Sequence, residues 1–255
     1  HSSIYIKIQE TGRLRQALFN WAIRVCSPMA TKPRADWNLK EKCLYGISYW
    51  LVLRALQNFI GLRRCSIALT GAAPISTGIL EFFRTIGIPL VEVYGQTEST
   101  GVATAQPVED VRLGTVGVAV SGVEVTLGEH NEIIMRGGSM FKGYYKNDEA
   151  TASTLKDGWL HTGDVGEWRD GQLKIVDRLK DIMITAGGKN LSPTEIENTI
   201  KASPYIKECI VIGEARKYVS ALIQIDFDTV AKWAEQERIA YTTFRSLTEQ
   251  SQVNE

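Results

Sequence analysis

Hydrophobic positions along this chain recur with spacings that change, and the changes mark its organisation. The first sixty residues have helical spacing. Leu14, Leu18, Trp21, Ala22 and Val25 fall on one helical face, and Pro28 stops the run. Asn38 is placed to cap a second helix carrying Leu44, Ile47, Leu51 and Ala55, with Tyr49, Trp50, Val52 and Leu53 filling its other faces. A helix apolar on more than one side reads as buried; contact with a membrane surface or an acyl chain is the alternative. Residues 65–94 form a strand–helix–strand unit. Residues 66–70 are a short apolar strand, and Gly71 opens a turn. Ile79, Leu80, Phe82, Phe83 and Ile86 then mark a helix face that Gly87 ends, and Leu90 to Tyr94 is the second strand.

From about 111 to 178 the pattern shifts to short strands and glycine turns. Strands are predicted at 123–127, 132–136, 165–168 and 173–176, with Asp170-Gly171 as a hairpin turn. This reads as an antiparallel, barrel-like region. Past Lys180, Ser192-Pro193-Thr194-Glu195 has the form of a capping box with proline at the first helical position. A helix, strands at 209–212 and 221–225, and a helix from about Thr229 follow. The fold class is α/β plus α+β. Strand–helix–strand sheet layers and the barrel-like region occupy 1–180, a smaller α+β domain occupies 181–255, and the boundary lies near Lys180.

Composition narrows the field of functions. With 44% hydrophobic and 23% charged residues the chain can bury a core. Twenty-nine basic residues balance twenty-nine acidic ones, which gives no reason to expect nucleic acid as a partner. The four cysteines are widely separated, never paired as CxxC, and suit a reducing compartment. Cys65 and Cys209 lie beside apolar runs and read as small core residues. No signal-peptide pattern opens the chain, and the longest apolar stretch, 45–53, is too short to span a bilayer. Both ends read as cuts in a longer chain.

In a parallel sheet, ligands sit beyond the carboxyl ends of the strands. Two such ends are Gly71-Ala72-Ala73-Pro74 and Gly95-Gln96-Thr97-Glu98. In the second, Tyr94 offers a face to a flat base and Gly95 allows close approach of backbone to ligand. Thr97 can donate to a phosphate oxygen, and Glu98 can hold a magnesium ion that bridges phosphates. Taken alone, the segment is equally a strand followed by a capped turn. Gly163-Asp164 places a carboxylate after a glycine, where it can accept hydrogen bonds from ribose hydroxyls; a plain turn aspartate is the alternative. His161 has no partner at a recognisable spacing and reads as structural. The charge run 177–181, lying between a barrel and a new domain, reads as a hinge, and Thr185-Ala186-Gly187-Gly188-Lys189-Asn190 follows it.

Four segments, 93–101, 158–164, 177–181 and 185–190, in this order, resemble the adenylate-forming superfamily, which includes acyl-CoA synthetases, peptide-synthetase adenylation domains and firefly luciferase. The resemblance spans residues 60–226, and the helical first third is most similar to bacterial long-chain fatty-acid CoA ligases. It implies an internal fragment of an ATP-dependent acid–thiol ligase: 1–180 as part of the large adenylation domain, and 181–255 as part of the small one. Gly71, Ala72 and Ala73 match the loop lining the adenine and acyl pockets. Tyr94 matches the adenine-stacking residue, with Gly95 and Gln96 beside it. Thr97 matches the α-phosphate contact and Glu98 the magnesium ligand. Asp164 matches the ribose-binding carboxylate, Arg178 a second ribose contact and Lys180 the hinge. Gly187 and Gly188 match the small-domain loop that approaches the reacting centre and the coenzyme A tunnel.

The implied partners are a fatty acid, ATP, Mg2+ and coenzyme A, in a cytoplasmic setting, with peripheral contact to the inner face of the membrane left open. The superfamily's phosphate loop lies upstream of these motifs, and its adenylation lysine lies beyond residue 255, so the piece alone is expected to be inactive. Lys189 stands where relatives often carry an acidic residue. Apolar surface around Leu69 and Val91 is expected to be uncovered. Two other readings stay open: an adenylation domain that loads a carrier protein, and a non-catalytic nucleotide-binding relative. The joint presence of Thr97, Glu98, Asp164 and Arg178 speaks against the last.

Overall fold

The computed structural model describes residues 4, 7, 8 and 11–254. The chain divides into two compact units: Gly12–Asp181, and a second that runs from Ile182 onward and includes the described residues before Gly12.

The first unit opens with helix α1 (Arg13–Cys26), whose buried face is Phe19, Ala22 and Cys26. The predicted stripe is rotated from this, and Leu14 is 75% exposed. Asn38 caps α2 (Leu39–Ser48) as expected. Its side chain accepts from the Glu41 N–H while the Glu41 carboxylate accepts from the Asn38 N–H, so two donors at the helix start are satisfied. A π-helical turn (Tyr49–Leu53) leads into α3 (Arg54–Phe59). The expectation of a buried helix fails on one side. Ser48, Leu53, Leu56 and Gln57 are buried, whereas Leu39, Ile47, Trp50, Leu51 and Phe59 are exposed. Exposed apolar residues lie both before the π-helical turn (Leu39 and Ile47) and within or after it (Trp50, Leu51 and Phe59).

The strand–helix–strand unit comprises β1 (Ala68–Thr70), α4 (Thr77–Thr85) and β2 (Leu90–Tyr94), with β1 parallel to β2 in the register Ala68↔Leu90 and Thr70↔Glu92. Leu80, Leu90, Val91 and Val111 form its buried core. Val91 is therefore covered, contrary to expectation, while Leu69 on β1 is 57% exposed as expected. Cys65 is only partly buried, with its thiol donating to the Ile67 carbonyl, while Cys209 is buried as expected. Strands β3 (Thr104–Ala105) and β4 (Val118–Ala119) extend this sheet antiparallel in the order β1-β2-β3-β4.

The barrel-like region is a five-stranded antiparallel sheet. Its strands are β5 (Val123–Leu127), β6 (Glu132–Gly137), β7 (Leu155–Lys156), β8 (Trp159–Arg169) and β9 (Gln172–Arg178), in the order β5-β6-β8-β7 with β9 on β8. Helix α5 (Asp148–Thr154), capped by Asn147, precedes β7. The β8–β9 turn is Asp170-Gly171, and both residues have positive φ (52° and 86°), as a tight hairpin of the right twist demands. The two sheets share one core: Tyr94 and Ala103 pack with Val116, Ile133, Met135, Leu160 and Leu173.

The second unit contains the small hairpin β10 (Met183–Ile184) and β11 (Asn190–Leu191), then α6 (Pro193–Lys201), β12 (Ile206–Ile212), β13 (Ser220–Ile225) and α7 (Phe227–Gln236). The Ser192 hydroxyl caps α6 by accepting from the Glu195 N–H. Asp226 caps α7, so that helix starts slightly earlier than predicted. Among the described residues, no helix is long and apolar enough to cross a membrane.

Candidate functional site

The carboxyl end of β2 is where the predicted residues gather. After Tyr94 the chain folds back on itself. The Ala103 N–H donates to the Tyr94 carbonyl (2.8 Å), and the Gly101 N–H donates to the Gln96 carbonyl (3.0 Å). This return leaves no room beside Gly95, where a β-carbon would lie 1.6 Å from the Gly101 carbonyl oxygen. Gly95 is thus required by the approach of the chain to itself, where the sequence suggested approach to a ligand. Thr97, Glu98 and Ser99 form a single 3-10 turn, and Thr100 leaves it with φ +60°.

Tyr94 is 8% exposed, with its ring in the shared core. Its hydroxyl donates to Asp164 Oδ2 at 2.6 Å, and Gln96 Nε2 donates to the same oxygen at 2.8 Å. Burial, first, and then the neighbouring Asp164 charge push the Tyr94 phenol upward, so it remains protonated and a donor at neutral pH. Asp164 is itself 6% exposed, and its Oδ1 lies 3.4 Å from Arg178 Nε, whose side chain is 70% exposed. Asp164 and Arg178 stand directly opposite each other in the β8–β9 register, which explains their pairing. Four of the predicted residues, Tyr94, Gln96, Asp164 and Arg178, thus form one network. Its carboxylate is already engaged by its own chain on one oxygen, and Oδ1 faces the exposed guanidinium.

Thr97 is exposed and Glu98 half-buried. Glu98 Oε1 accepts from the Tyr144 hydroxyl at 2.6 Å. Among the described residues, no group of three or more His, Cys, Asp or Glu side chains could cage a metal. A single half-buried carboxylate with an oxygen to spare fits Mg2+, which takes one or two carboxylates together with substrate phosphates and waters. Gly71, Ala72 and Ala73 are exposed just beyond β1, with Ala72 at φ +68°. A β-carbon on Gly71 would meet the Val93 carbonyl oxygen at 2.8 Å, so glycine keeps this loop against β2. Lys180 lies exposed in the turn after β9. Gly187 and Gly188 belong to the second unit, in the turn between β10 and β11. There Gly188 has φ +76° and its N–H donates to the Thr185 carbonyl.

Several residues of the site escaped the sequence reading. Glu132 on β6 holds β8 just before Asp164: Oε1 accepts from the Gly163 N–H (2.9 Å) and Oε2 from His161 Nδ1–H (2.7 Å). His161 is therefore structural, as expected, with a partner 29 positions away that no local spacing reveals. Glu92, on β2 beneath the site, is buried, and burial pushes its carboxyl up to about 7 against one long hydrogen bond from Ile75 N–H. Tyr144 follows Gly143 just before the Asn147 cap. A cavity of about 300 Å³ lies elsewhere, toward the amino ends of β1 and β2, between Trp37, Tyr45, Arg84, Ile88, Pro89 and Val108.

A fold with a parallel strand–helix–strand unit, an antiparallel barrel and a carboxylate network at the strand ends has a known family counterpart. Residues 17–145 match the AMP-binding enzyme family, residues 180–250 match the AMP-binding enzyme C-terminal domain, and the chain belongs to this family. A protein of Mycobacterium tuberculosis (strain ATCC 25618 / H37Rv) with the provisional name fatty-acid–CoA ligase fadD11 is 39% identical over 236 residues, covering 89% of this chain and 41% of that protein. Long-chain-fatty-acid–CoA ligase FadD15 of Mycobacterium bovis is 37% identical over 186 residues, covering 72% and 31%. The chain thus spans about two fifths or less of the length of these curated relatives. Among solved structures, the O-succinylbenzoate coenzyme A synthetase (MenE) of Bacillus subtilis, in complex with ATP and magnesium ion, is similar at a TM-score of 0.58 and 27% identity, covering 68% of this chain and 39% of that one. The expected mixed α/β fold of an adenylate-forming enzyme is what the structure has.

Proposed function

We propose that this chain is part of a fatty-acid–CoA ligase that activates its acid with ATP and passes the acyl group to coenzyme A. The observation that carries this reading is the grouping of Thr97 and Glu98 with the Tyr94–Gln96–Asp164–Arg178 network at the carboxyl end of β2. The names of the relatives supply the substrate class. In the first half-reaction a carboxylate oxygen attacks the α-phosphorus. The bond from the α-phosphorus to the bridging oxygen breaks, and pyrophosphate leaves with the electron pair. Thr97 donates to an α-phosphate oxygen. Arg178 and Asp164 Oδ1 face the ribose, while Tyr94 and Gln96 hold Asp164 from beneath. Mg2+ bound through Glu98 and the phosphates would offset the charge that builds up there. In the second half-reaction the coenzyme A sulfur attacks the acyl carbon, the bond to AMP breaks, and the thiol proton passes to solvent. Lys180 is the hinge between the two half-reactions, and Gly187 and Gly188 form the loop that approaches the acyl carbon.

The test uses the full-length protein with ATP, Mg2+, palmitate and coenzyme A. Palmitoyl-CoA is sought by mass spectrometry and adenylation by palmitate-dependent pyrophosphate exchange. Glu98→Ala should lower exchange by about 100-fold or more, the scale of losing one preorganised electrostatic group. Unaltered exchange in that variant sinks the role of Glu98. Adenylation without transfer to coenzyme A, but with transfer to a carrier protein, overturns the ligase reading.

A further inference from the structure

Glu98 does not choose its own orientation. Three hydrogen bonds tie the segment 139–144 to the turn that bears it. The Phe141 N–H donates to the Glu98 carbonyl at 2.7 Å, the Thr100 hydroxyl donates to the Ser139 carbonyl at 2.5 Å, and the Tyr144 hydroxyl donates to Glu98 Oε1 at 2.6 Å. The first two fix the backbone of the turn. Only the third reaches the carboxylate, and it engages one oxygen.

Tyr144 is in turn held from behind. Its ring meets Phe141 edge-on with centroids 4.8 Å apart. Its N–H donates to the Thr151 hydroxyl at 2.9 Å, and that hydroxyl donates to the Asn147 carbonyl at the start of α5. A β-carbon on Gly143 would lie 2.7 Å from Thr151 Cγ2, so glycine is what lets the segment close on the helix. The backbone of Tyr144 is thus held by α5 and its ring by Phe141, which is how a supporting residue makes a binding group rigid.

We propose that Tyr144 is a positioning residue for the metal-binding carboxylate: by occupying Glu98 Oε1 it presents Oε2 to the divalent cation that accompanies the nucleotide. The inference rests on the reading of Glu98 as a metal ligand. It predicts single-oxygen coordination at Glu98 and a metal affinity set partly by a phenol that never touches the metal.

The test is a titration of the full-length protein with Mn2+ at saturating non-hydrolysable ATP analogue, followed by electron paramagnetic resonance and read as a dissociation constant. Tyr144→Phe keeps the ring and removes the donor. It should raise the Mn2+ dissociation constant about 3- to 10-fold, the worth of one partly exposed hydrogen bond to a charged group, with the thermal midpoint unchanged. Glu98→Gln should raise it further, and Tyr144→Phe should add nothing in that background. A second variant, Thr151→Ala, frees the Tyr144 backbone and should give a smaller shift in the same direction. If Tyr144→Phe leaves the constant unchanged while Glu98→Gln raises it, the positioning role is overturned and the metal role of Glu98 stands. If Glu98→Gln leaves it unchanged, both are overturned.

Discussion

The buried carboxyl of Glu92 makes stability depend on pH in a direction opposite to that of most acidic side chains. It is 8% exposed, and its one hydrogen bond, from the Ile75 N–H, is long at 3.5 Å. Its own N–H donates to Gln106 Oε1, which fixes the strand there but does nothing for the charge. Burial therefore dominates, and the carboxyl titrates near 7 in place of the ordinary 4.5. A raised pKa means that the folded state binds the proton more tightly than the unfolded state does. The associated stability is complete below about pH 4.5, falls as pH rises, and is lost above about pH 7. The span corresponds to about 3 kcal/mol, from roughly 1.4 kcal/mol per pH unit. Glu92→Gln keeps the shape and cannot ionise, so it should not suffer this loss. Five of the six tryptophans lie in residues 12–181, so fluorescence during urea denaturation reports this unit. At pH 5 the two proteins should unfold at similar urea concentrations. At pH 8.5 the variant should be more stable by about 2–3 kcal/mol. The comparison cancels every other titrating group. Stability curves that run parallel from pH 5 to 8.5 would refute the reasoning, because they would mean that Glu92 is ionised as easily folded as unfolded.

The other predictions concern the site and its hinge. Asp164→Ala removes the acceptor of Tyr94 Oη and Gln96 Nε2; it should cost about 1–3 kcal/mol of stability and raise KM for ATP by a larger factor than it lowers kcat. A collapsed kcat at unchanged KM would contradict a ribose contact made equally in ground and transition states. Gly95→Ala puts a β-carbon against the Gly101 carbonyl and should cost about 3 kcal/mol or more, measured by urea unfolding; near-wild-type stability would show that the return of the chain is adjustable. Lys180→Pro fixes φ at the proposed hinge and should impair one half-reaction far more than the other. Equal losses in pyrophosphate exchange and thioester formation would count against a hinge at that residue.

Local chemistry was legible in the sequence, and distant pairing was not. The Asn38 cap, the Asp170-Gly171 turn, the Ser192-Pro193 helix start and the parallel strand–helix–strand unit each depend on residues a few positions apart, and each is present. The exposed apolar residues of α2 and α3 are not legible from the pattern, because hydropathy reports what a side chain prefers and not which way the folded helix points it. The motifs named the site residues but not their mutual contacts. Nothing near Asp164 reveals that Tyr94, 70 positions earlier, donates to it, or that Glu132 holds the preceding glycine. The close approach of Gly101 to Gly95 is a tertiary event and is not legible from the residues around Gly95.

The pairing of Asp164 with Arg178 is decided at an irregularity within their hairpin. The pairs from Arg169↔Gln172 to Gly166↔Ile175 hold one register, and the irregularity between Val165 and Gly166 shifts it by one residue, which brings Asp164 opposite Arg178. A residue lost from that irregularity would slip the register by one and turn the guanidinium away from the carboxylate, leaving every site residue chemically intact. The proposed ribose contact is thus open to alteration by length changes within β8 and β9, by insertion and deletion as much as by substitution.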